Sequence, residues 1–232
     1  SVLSLINSPF IVTGDINVNG RLTIEPGCKI YFKPGYDDGL GGTFYEPGLS
    51  DFGFYGSSVF IAEGTETDSI YFIALSANPA NRDWGGFLFD HNSDGYFSYC
   101  ILKDFTGLVH YGDTLKLNNS TIENINYGVP AYGSSVFADI SENKFFNIGP
   151  TSWGQPATIA LVSDVLYIRN NIFDIVQRGI QINNANGINI IEGNTFNNTY
   201  EYAVRFDGYG MDHTIVNYNN FMDDGDGWWL VY

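Results

Sequence analysis

The sequence has few cations. Ten lysine and arginine residues stand against 26 aspartate and glutamate residues, so the formal charge at pH 7 is −16. Nucleic-acid-binding proteins neutralise phosphates with clustered cations, and we expect no nucleic acid partner here. An acidic surface also disfavours anionic membranes and acidic glycans unless cations bridge them. Neutral polysaccharide, cations or another protein remain as partners.

Long apolar runs, histidines and cysteines are also scarce. No run of about 18 consecutive apolar residues occurs, so we expect no membrane insertion. The three histidines lack the spacing of a zinc site, which gives metal catalysis little support. Little lysine and abundant asparagine, glycine and tyrosine favour an extracellular or cell-surface location.

What the sequence does have is a repeat. A bulky apolar residue that follows small polar residues, often Asn, recurs at steps of 21, 24, 27, 23 and 25 residues. Helical periodicity is nearly absent, and the segments between are short, β-branched or aromatic, and broken by Gly, Asn or Asp. About three such strands per repeat are typical of one coil of a parallel β-helix. The repeat marks are Ile101, Ile122, Phe146, Phe173, Phe196 and Phe221.

Stacked coils bring equivalent residues of successive repeats together. We expect a ladder of asparagines inside one chain turn, where their side chains satisfy backbone groups that the sheets do not reach. Cys28 falls in the first coil and Cys100 in the third, about 9–10 Å apart at the strand spacing. A disulfide needs Cα atoms within about 7 Å, so we predict two buried free thiols. The predicted ladder contains Asn119, Asn143, Asn171, Asn194 and Asn219.

Three segments carry a family resemblance: GRLTIEPGCKIYF, VFIAEGTETDSIYFIA and DWGGFLFDHNSDGYFSYCILKDFTGLVHY. They resemble right-handed parallel β-helix repeat proteins of the pectate-lyase-like superfamily, among them bacterial surface proteins. The resemblance covers nearly the whole chain except residues 35–57. It implies an all-β, single-domain solenoid over residues 1–232, with 35–57 as an inserted Gly- and aromatic-rich loop and 227–232 as a C-terminal coil or cap. It implies little about activity, because this fold hosts lyases, hydrolases, epimerases, adhesins and spacers.

The segment DHNSDG matches the first half of a calcium-binding loop. The complete loop needs a bidentate acid at its twelfth position, which is Ile101 here, so an EF-hand is excluded. A plain Asp/Asn/Gly turn is the favoured interpretation, and a looser calcium site is the alternative. The later segment DDGDG has the same two interpretations, so we expect no cofactor unless calcium binds at these turns. The candidate metal ligands are Asp90, Asn92, Asp94, Asp223, Asp224 and Asp226.

Catalytic residues are sought on the outward face of the stack. Alignment of GGFLFD, ATIALVS, RGIQIN and YAVRFDG predicts an outward column of Leu88, Ala160, Gln181 and Arg205. A hydrolase needs two carboxylates at a defined separation, and this column contains none. Lyases of the superfamily use calcium-held uronate and an Arg or Lys base. The catalytic candidates are Arg178, Arg205 and Asp207, although an Arg205–Asp207 surface ion pair is the favoured interpretation.

Rings in the inserted loop and in the segment PTSWGQPA suggest a binding site. Gly-rich loops with aromatic faces and Asp/Asn acceptors suit neutral sugars through CH–π packing and hydrogen bonds. The alternative is a lid that folds over the stack. The candidate ligand-binding residues are Tyr36, Phe44, Tyr45, Tyr55 and Trp153.

We therefore predict a noncatalytic extracellular β-helix module that binds carbohydrate or mediates surface attachment. The first alternative is a polysaccharide lyase or glycoside hydrolase. The second is a structural or assembly subunit that associates with itself or with neighbouring domains. A polysaccharide or another surface component is the expected partner.

Overall fold

The structure, a computed structural model, describes residues 1–35, 49–131, 137–149, 157–161, 164–183, 187–207 and 213–222. Within these ranges the chain is an all-β parallel solenoid of about eight coils, which confirms the predicted fold class. Most coils carry three short strands, as the sequence indicates, and a short 3-10 helix covers Leu5–Asn7. None of the described helices has the length and apolarity to cross a bilayer.

Equivalent strands of successive coils pair into three ladders along the stack. Ladder one contains β1 (Val2–Leu3), β4 (Arg21–Ile24), β7 (Val59–Glu63), β10 (Asp94–Ser98), β13 (Thr114–Asn118), β16 (Phe137–Ser141), β19 (Val165–Arg169), β21 (Ile188–Glu192) and β23 (Thr214–Asn217). Ladder two contains β2 (Phe10–Val12), β5 (Lys29–Phe32), β8 (Ile70–Ala74), β11 (Cys100–Lys103), β14 (Thr121–Ile125), β17 (Lys144–Ile148), the first halves of β20 (Ile172–Asn183) and β22 (Thr195–Asp207), and β24 (Asn220–Met222). Ladder three contains β3 (Ile16–Val18), β6 (Asp51–Phe54), β9 (Trp84–Phe89), β12 (Phe105–His110), β15 (Val129–Ala131), β18 (Ile159–Leu161) and the second halves of β20 and β22.

One column of large side chains runs through ladder two inside the stack. Its members are Leu102, Ile122, Phe145, Phe173, Phe196 and Phe221. The predicted marks Ile101 and Phe146 are therefore wrong by one residue. Both are only half-buried, because successive strand residues face opposite sides of a sheet. From Phe145 onward the rings stack with centroid separations of 5.0, 4.7 and 5.2 Å.

The predicted asparagine ladder is present, with one correction. Backbone N–H groups of Asn143, Asn171 and Asn194 each donate to the Oδ1 of the next asparagine at 3.0 Å. The Nδ2 of Asn171 also donates to the Ile140 carbonyl at 2.8 Å. Asn219 is the last member of the ladder among the described residues. Buried backbone groups in this chain turn are thereby satisfied.

Asn119 does not belong to that ladder. Ser120 holds the equivalent position, where its backbone N–H donates to Asn143 Oδ1 at 2.9 Å. Asn119 instead has φ 51°, the left-handed conformation that Asn tolerates better than most residues. Asn119 therefore turns the chain in its left-handed conformation, and the next residue, Ser120, belongs to the ladder.

Both cysteines are buried and free, as predicted. Cys28 and Cys100 lie in the same column as the asparagines, two coils apart, because both align with Ile70. Burial raises the pKa of both thiols.

Strand β6 lies inside the segment that the sequence predicts as an inserted loop. It pairs with β3 and β9. Its alternating Phe52 and Phe54 are buried in the core. Residues 36–48 of that segment, and the predicted C-terminal coil or cap at 227–232, lie outside the described residues.

Candidate functional site

The outward face of ladder three changes character along the stack. The pairing register places Leu88, Val109, Pro130 and Ala160 in one column, followed by Gln181 and Arg205. This register agrees with the alignment predicted from the sequence. The first four residues are buried although they face outward, whereas the side chain of Arg205 is 40% exposed. The accessible polar part of this face therefore begins at β20.

Four polar side chains on β20 and β22 form an array that we call the polar square: Gln181, Asn183, Arg205 and Asp207. Gln181 pairs in register with Arg205, and Asn183 with Asp207. Arg205 Nε donates to Asp207 Oδ1 at 2.8 Å. Gln181 Nε2 donates to Asp207 Oδ2 at 2.7 Å and to Asn183 Oδ1 at 3.2 Å. Each side chain is thus held by at least one other member.

Tyr202 lies on β22 with Arg205 and Asp207 and supports the polar square by a hydrogen bond to the neighbouring coil. Its hydroxyl donates to Gln181 Oε1 at 2.9 Å, and the Arg205 guanidinium lies 5.6 Å from its ring centroid. The residue is 5% exposed and packs with Ala157 and Ala160, apart from the main core. Burial raises the pKa of Tyr202 to about 12. The phenol is therefore a protonated hydrogen-bond donor at neutral pH.

An ion pair lies beside the polar square. Arg178 Nε donates to Glu201 Oε2 at 2.6 Å, and Gln177 Nε2 donates to Glu201 Oε1 at 2.6 Å. Burial alone would raise the pKa of Glu201, but the bonds from Arg178 and Gln177 outweigh it, so this pKa lies below its ordinary value. Glu201 is therefore ionised at neutral pH.

A β-bulge places Glu201 next to Arg178. Two steps along β20, from Val176 to Arg178, correspond to three steps along β22, from Thr199 to Tyr202. Such an extra residue re-aims the side chains that follow it. Strict alternation from Arg205 would put Tyr202 on the inward side. The aligned segment YAVRFDG begins at Tyr202 and so left out Glu201, alternation assigned Tyr202 to the interior, and nothing in the sequence marked the bulge.

Some hydrogen-bonding capacity of the polar square faces solvent. Arg205 Nη1 and Nη2 and Asn183 Nδ2 have no hydrogen-bond partner among the described residues. Asp207 is 26% exposed in its side chain, and each of its oxygens accepts only one bond from the described residues. A carboxylate oxygen can accept about two. Free donors and free acceptors are therefore adjacent.

The predicted calcium turn is closed by its own groups. The backbone N–H of His91 donates to Asp90 Oδ1 at 2.8 Å, Asn92 has φ 61°, and Asp94 begins β10. No group of three His, Cys, Asp or Glu side chains that could hold a metal ion occurs in the described ranges. Asp223, Asp224 and Asp226 lie outside those ranges, so calcium binding stays a prediction.

Of the predicted ligand-binding rings, Tyr55 is described. It is half-buried, and a Cβ added at Gly53 would lie 2.6 Å from Tyr55 Cε2, so the ring packs against that glycine. Burial raises the pKa of Tyr55, and the carboxylates of Asp51, Asp90 and Asp15 add to the effect. Its role in binding stays a prediction. Tyr36, Phe44, Tyr45 and Trp153 lie outside the described residues.

His110 belongs to the interior. Its ring lies 5.3 Å from that of Phe89, and Nε2 lies 2.9 Å from the Thr114 carbonyl oxygen. Nδ1 has no partner in the part of the chain that the structure describes. Burial lowers the pKa of His110 to about 4, so this histidine is neutral at physiological pH.

Comparison with protein-family models, with curated proteins and with solved structures found no match. Function is therefore inferred from the chemistry of the polar square and the ion pair beside it.

Proposed function

We propose that this chain is a noncatalytic, extracellular β-solenoid module that binds carbohydrate and thereby mediates surface attachment, with the polar square as its binding site. One observation carries the proposal: partly exposed donors and acceptors lie side by side on a sheet face and are held in place by one another. Sugars present many hydroxyl groups, each of which donates and accepts. Side chains that are fixed before binding lose little conformational entropy when the ligand arrives.

Charge favours a neutral ligand. Arg178 and Arg205 are balanced by Glu201 and Asp207, to which they are paired at 2.6 and 2.8 Å. The local formal charge is thus zero, in a chain of net charge −16. An anionic polymer would meet long-range repulsion, whereas a neutral polysaccharide would not.

Binding explains these residues better than catalysis does. A glycoside hydrolase needs a carboxylic acid whose pKa is raised so that it is protonated when it acts. The pKa of Glu201 is lowered instead, and Asp207 accepts bonds from Arg205 and Gln181. A lyase of the superfamily would use an Arg or Lys base, and both arginines here are instead donors in ion pairs, Arg178 with Glu201 and Arg205 with Asp207. A polysaccharide lyase or glycoside hydrolase is the alternative that the experiment below tests.

The family and location are part of the same proposal. Three-stranded coils and the internal asparagine ladder support membership of the right-handed, pectate-lyase-like β-helix proteins. The acidic, lysine-poor composition supports an extracellular or cell-surface location.

The experiment is retention on immobilised neutral polysaccharides, with calcium or with chelator, while reducing ends and unsaturated sugars are assayed in the eluate. We expect retention without product. The test variant is Arg205→Gln. The matched control is Arg169→Gln on ladder one, because Arg169 is similarly exposed and pairs with Asp139 at 3.2 Å.

We expect Arg205→Gln to lose retention and Arg169→Gln to keep it. Product formation that Arg205→Gln abolishes would establish the enzymatic alternative instead. Equal retention of both variants would place binding elsewhere on the molecule.

A further inference from the structure

We infer that the polar square recognises a vicinal diol of a neutral sugar, with Arg205 and Asn183 donating to the hydroxyl oxygens and Asp207 accepting from them. This inference rests on the proposed function and narrows it to one kind of ligand group. Its basis is the position of the unused hydrogen-bonding groups within the square.

The unused donors flank the unused acceptors. Arg205 is bound to Asp207 through Nε, which leaves Nη1 and Nη2 without a partner among the described residues, on a side chain that is 40% exposed. On the neighbouring strand, Asn183 faces Asp207 in register and has its Nδ2 free of partners among the described residues. Asp207 thus lies between two groups that donate.

Two adjacent hydroxyls complement this donor–acceptor–donor pattern. Each hydroxyl can donate to one oxygen of Asp207 while it accepts from Arg205 or Asn183. A single hydroxyl would use only one side of the carboxylate. A carboxylate, sulfate or phosphate can only accept, so it would pair with Arg205 but leave Asp207 beside a like charge.

Gln181 positions the site and does not contact the ligand in this arrangement. Its Nε2 donates to both Asp207 and Asn183, and its Oε1 accepts from Tyr202. Both hydrogens of Nε2 are therefore used within the protein, and Oε1 already holds the Tyr202 hydroxyl. It fixes the carboxylate against Tyr202, which is itself buried.

The linkage of a glucan tests the inference without changing the protein. Internal residues of a (1→6)- or (1→4)-linked glucan carry adjacent free hydroxyls, whereas those of a (1→3)-linked glucan do not. We expect the full chain to bind at least one of the first two and not the third. Periodate cleaves the carbon–carbon bond between vicinal hydroxyls, so periodate oxidation followed by borohydride reduction should weaken binding about tenfold or more, and borohydride alone should not.

Two variants assign the effect to the polar square. Asp207→Asn keeps the shape of the side chain but replaces one acceptor by a donor, and Arg205→Gln removes the Nη donors. Each should weaken binding to the retained glucan by about ten- to a hundredfold, as expected for hydrogen bonds to charged groups. The Arg169→Gln control should bind like the parent, and urea unfolding should show that all three variants are folded.

The outcomes separate this inference from the broader proposal. Retention that survives periodate, or equal retention of the (1→3)-linked glucan, overturns the diol inference and leaves carbohydrate binding in place. Retention of anionic polysaccharides alone, weakened by salt, also overturns it. No retention on any polysaccharide overturns both.

Discussion

The early coils fill their interior with aromatic rings, whereas the later coils use aliphatic side chains, one file of stacked phenylalanines and the asparagine ladder. Trp84 stacks on Phe32 at 3.7 Å and donates through Nε1 to the Lys103 carbonyl at 2.9 Å. Around them lie rings in mixed orientations, such as Phe87 edge-on to Phe72 at 5.2 Å. This region resembles the core of a globular domain more than a repeat.

The chain turn between ladders one and two shows the same difference. In the early coils its inward position holds Cys28, Ile70 and Cys100. In the later coils it holds asparagines that bond from coil to coil. The early half is therefore stabilised mainly by apolar burial and ring contacts, and the later half also by in-register hydrogen bonds.

The regular interior of the later coils accounts for the position of the polar square. The square needs side chains from two coils held in a fixed register, and β20 and β22 pair over most of their length. The asparagine ladder braces the same two coils from inside through Asn171 and Asn194. A regular, repeated interior thus gives rigid support to a site on its outer face.

The largest expected effect follows from opening a cavity in the aromatic half. Phe87→Ala removes a ring packed among Phe52, Phe60, Phe72 and Trp84. We expect the free energy of unfolding in urea to fall by about 3–5 kcal/mol. Phe146→Ala, at a half-buried outward position, is the control and should cost clearly less. Equal losses of stability in the two variants would mean that a ring of the aromatic interior contributes no more than an outward-facing ring does.

The next largest loss of stability is expected from a substitution that breaks the asparagine ladder of the later coils. Asn171→Ala leaves the Ile140 carbonyl and the Asn143 N–H without partners in a buried chain turn. We expect a loss of about 2–4 kcal/mol in urea unfolding, because each buried unsatisfied group costs about 1–3 kcal/mol. Asn217→Ala, at an exposed position of β23, should change stability by less than about 0.5 kcal/mol. A loss no larger than that of Asn217→Ala would refute the structural role of the ladder.

We expect acid to lower the free energy of unfolding through the protonation of His110 in the early coils. The folded pKa is about 4, below the usual value of 6.5, so the unfolded chain binds this proton first. The stability contribution is complete above about pH 6.5 and is lost as the pH falls toward 4, by about 2–3 kcal/mol. His110→Leu should remove that part of the pH dependence, as measured by urea unfolding between these pH values. His91→Gln, at an exposed turn position, should keep the full dependence, and identical curves for parent and His110→Leu would contradict the assignment.

The smallest expected effect is a gain of stability from a substitution in the later coils. Ile175 has φ 54°, in a column whose other members with left-handed backbone are Asp104, Asn124, Asn147 and Asn198. A β-branched residue is strained in this conformation, whereas Asn tolerates it. We expect Ile175→Asn to raise the free energy of unfolding by about 1 kcal/mol.

Its control is Ile172→Asn at an exposed position of β20, where the backbone has no such strain. That substitution should give no gain. A loss of stability on Ile175→Asn would show that side-chain packing outweighs the backbone strain.

The sequence allowed most of the fold to be predicted, because a solenoid repeats its requirements at every coil. Asn143, Asn171 and Asn194 could be placed in one ladder from spacing alone, and the two cysteines could be judged too far apart to pair. The alignment of Gln181 with Arg205 also followed from the repeat. Ile101 and Phe146 were assigned to the inward side, but they face outward. Each has an apolar neighbour in the same strand, so the residue types alone do not show which of the two faces the interior.

The sequence by itself determined the coil, its three strands, its internal ladder and the outward column that carries Gln181 and Arg205. The tertiary structure alone decided which charges meet. An extra residue in β22 turned Glu201 toward Arg178, and Tyr202 came to lie under Arg205, against the alternation of the strand. The physical reason is that the site draws its side chains from two coils more than twenty residues apart, so its contacts depend on register and on the bulge rather than on any local pattern.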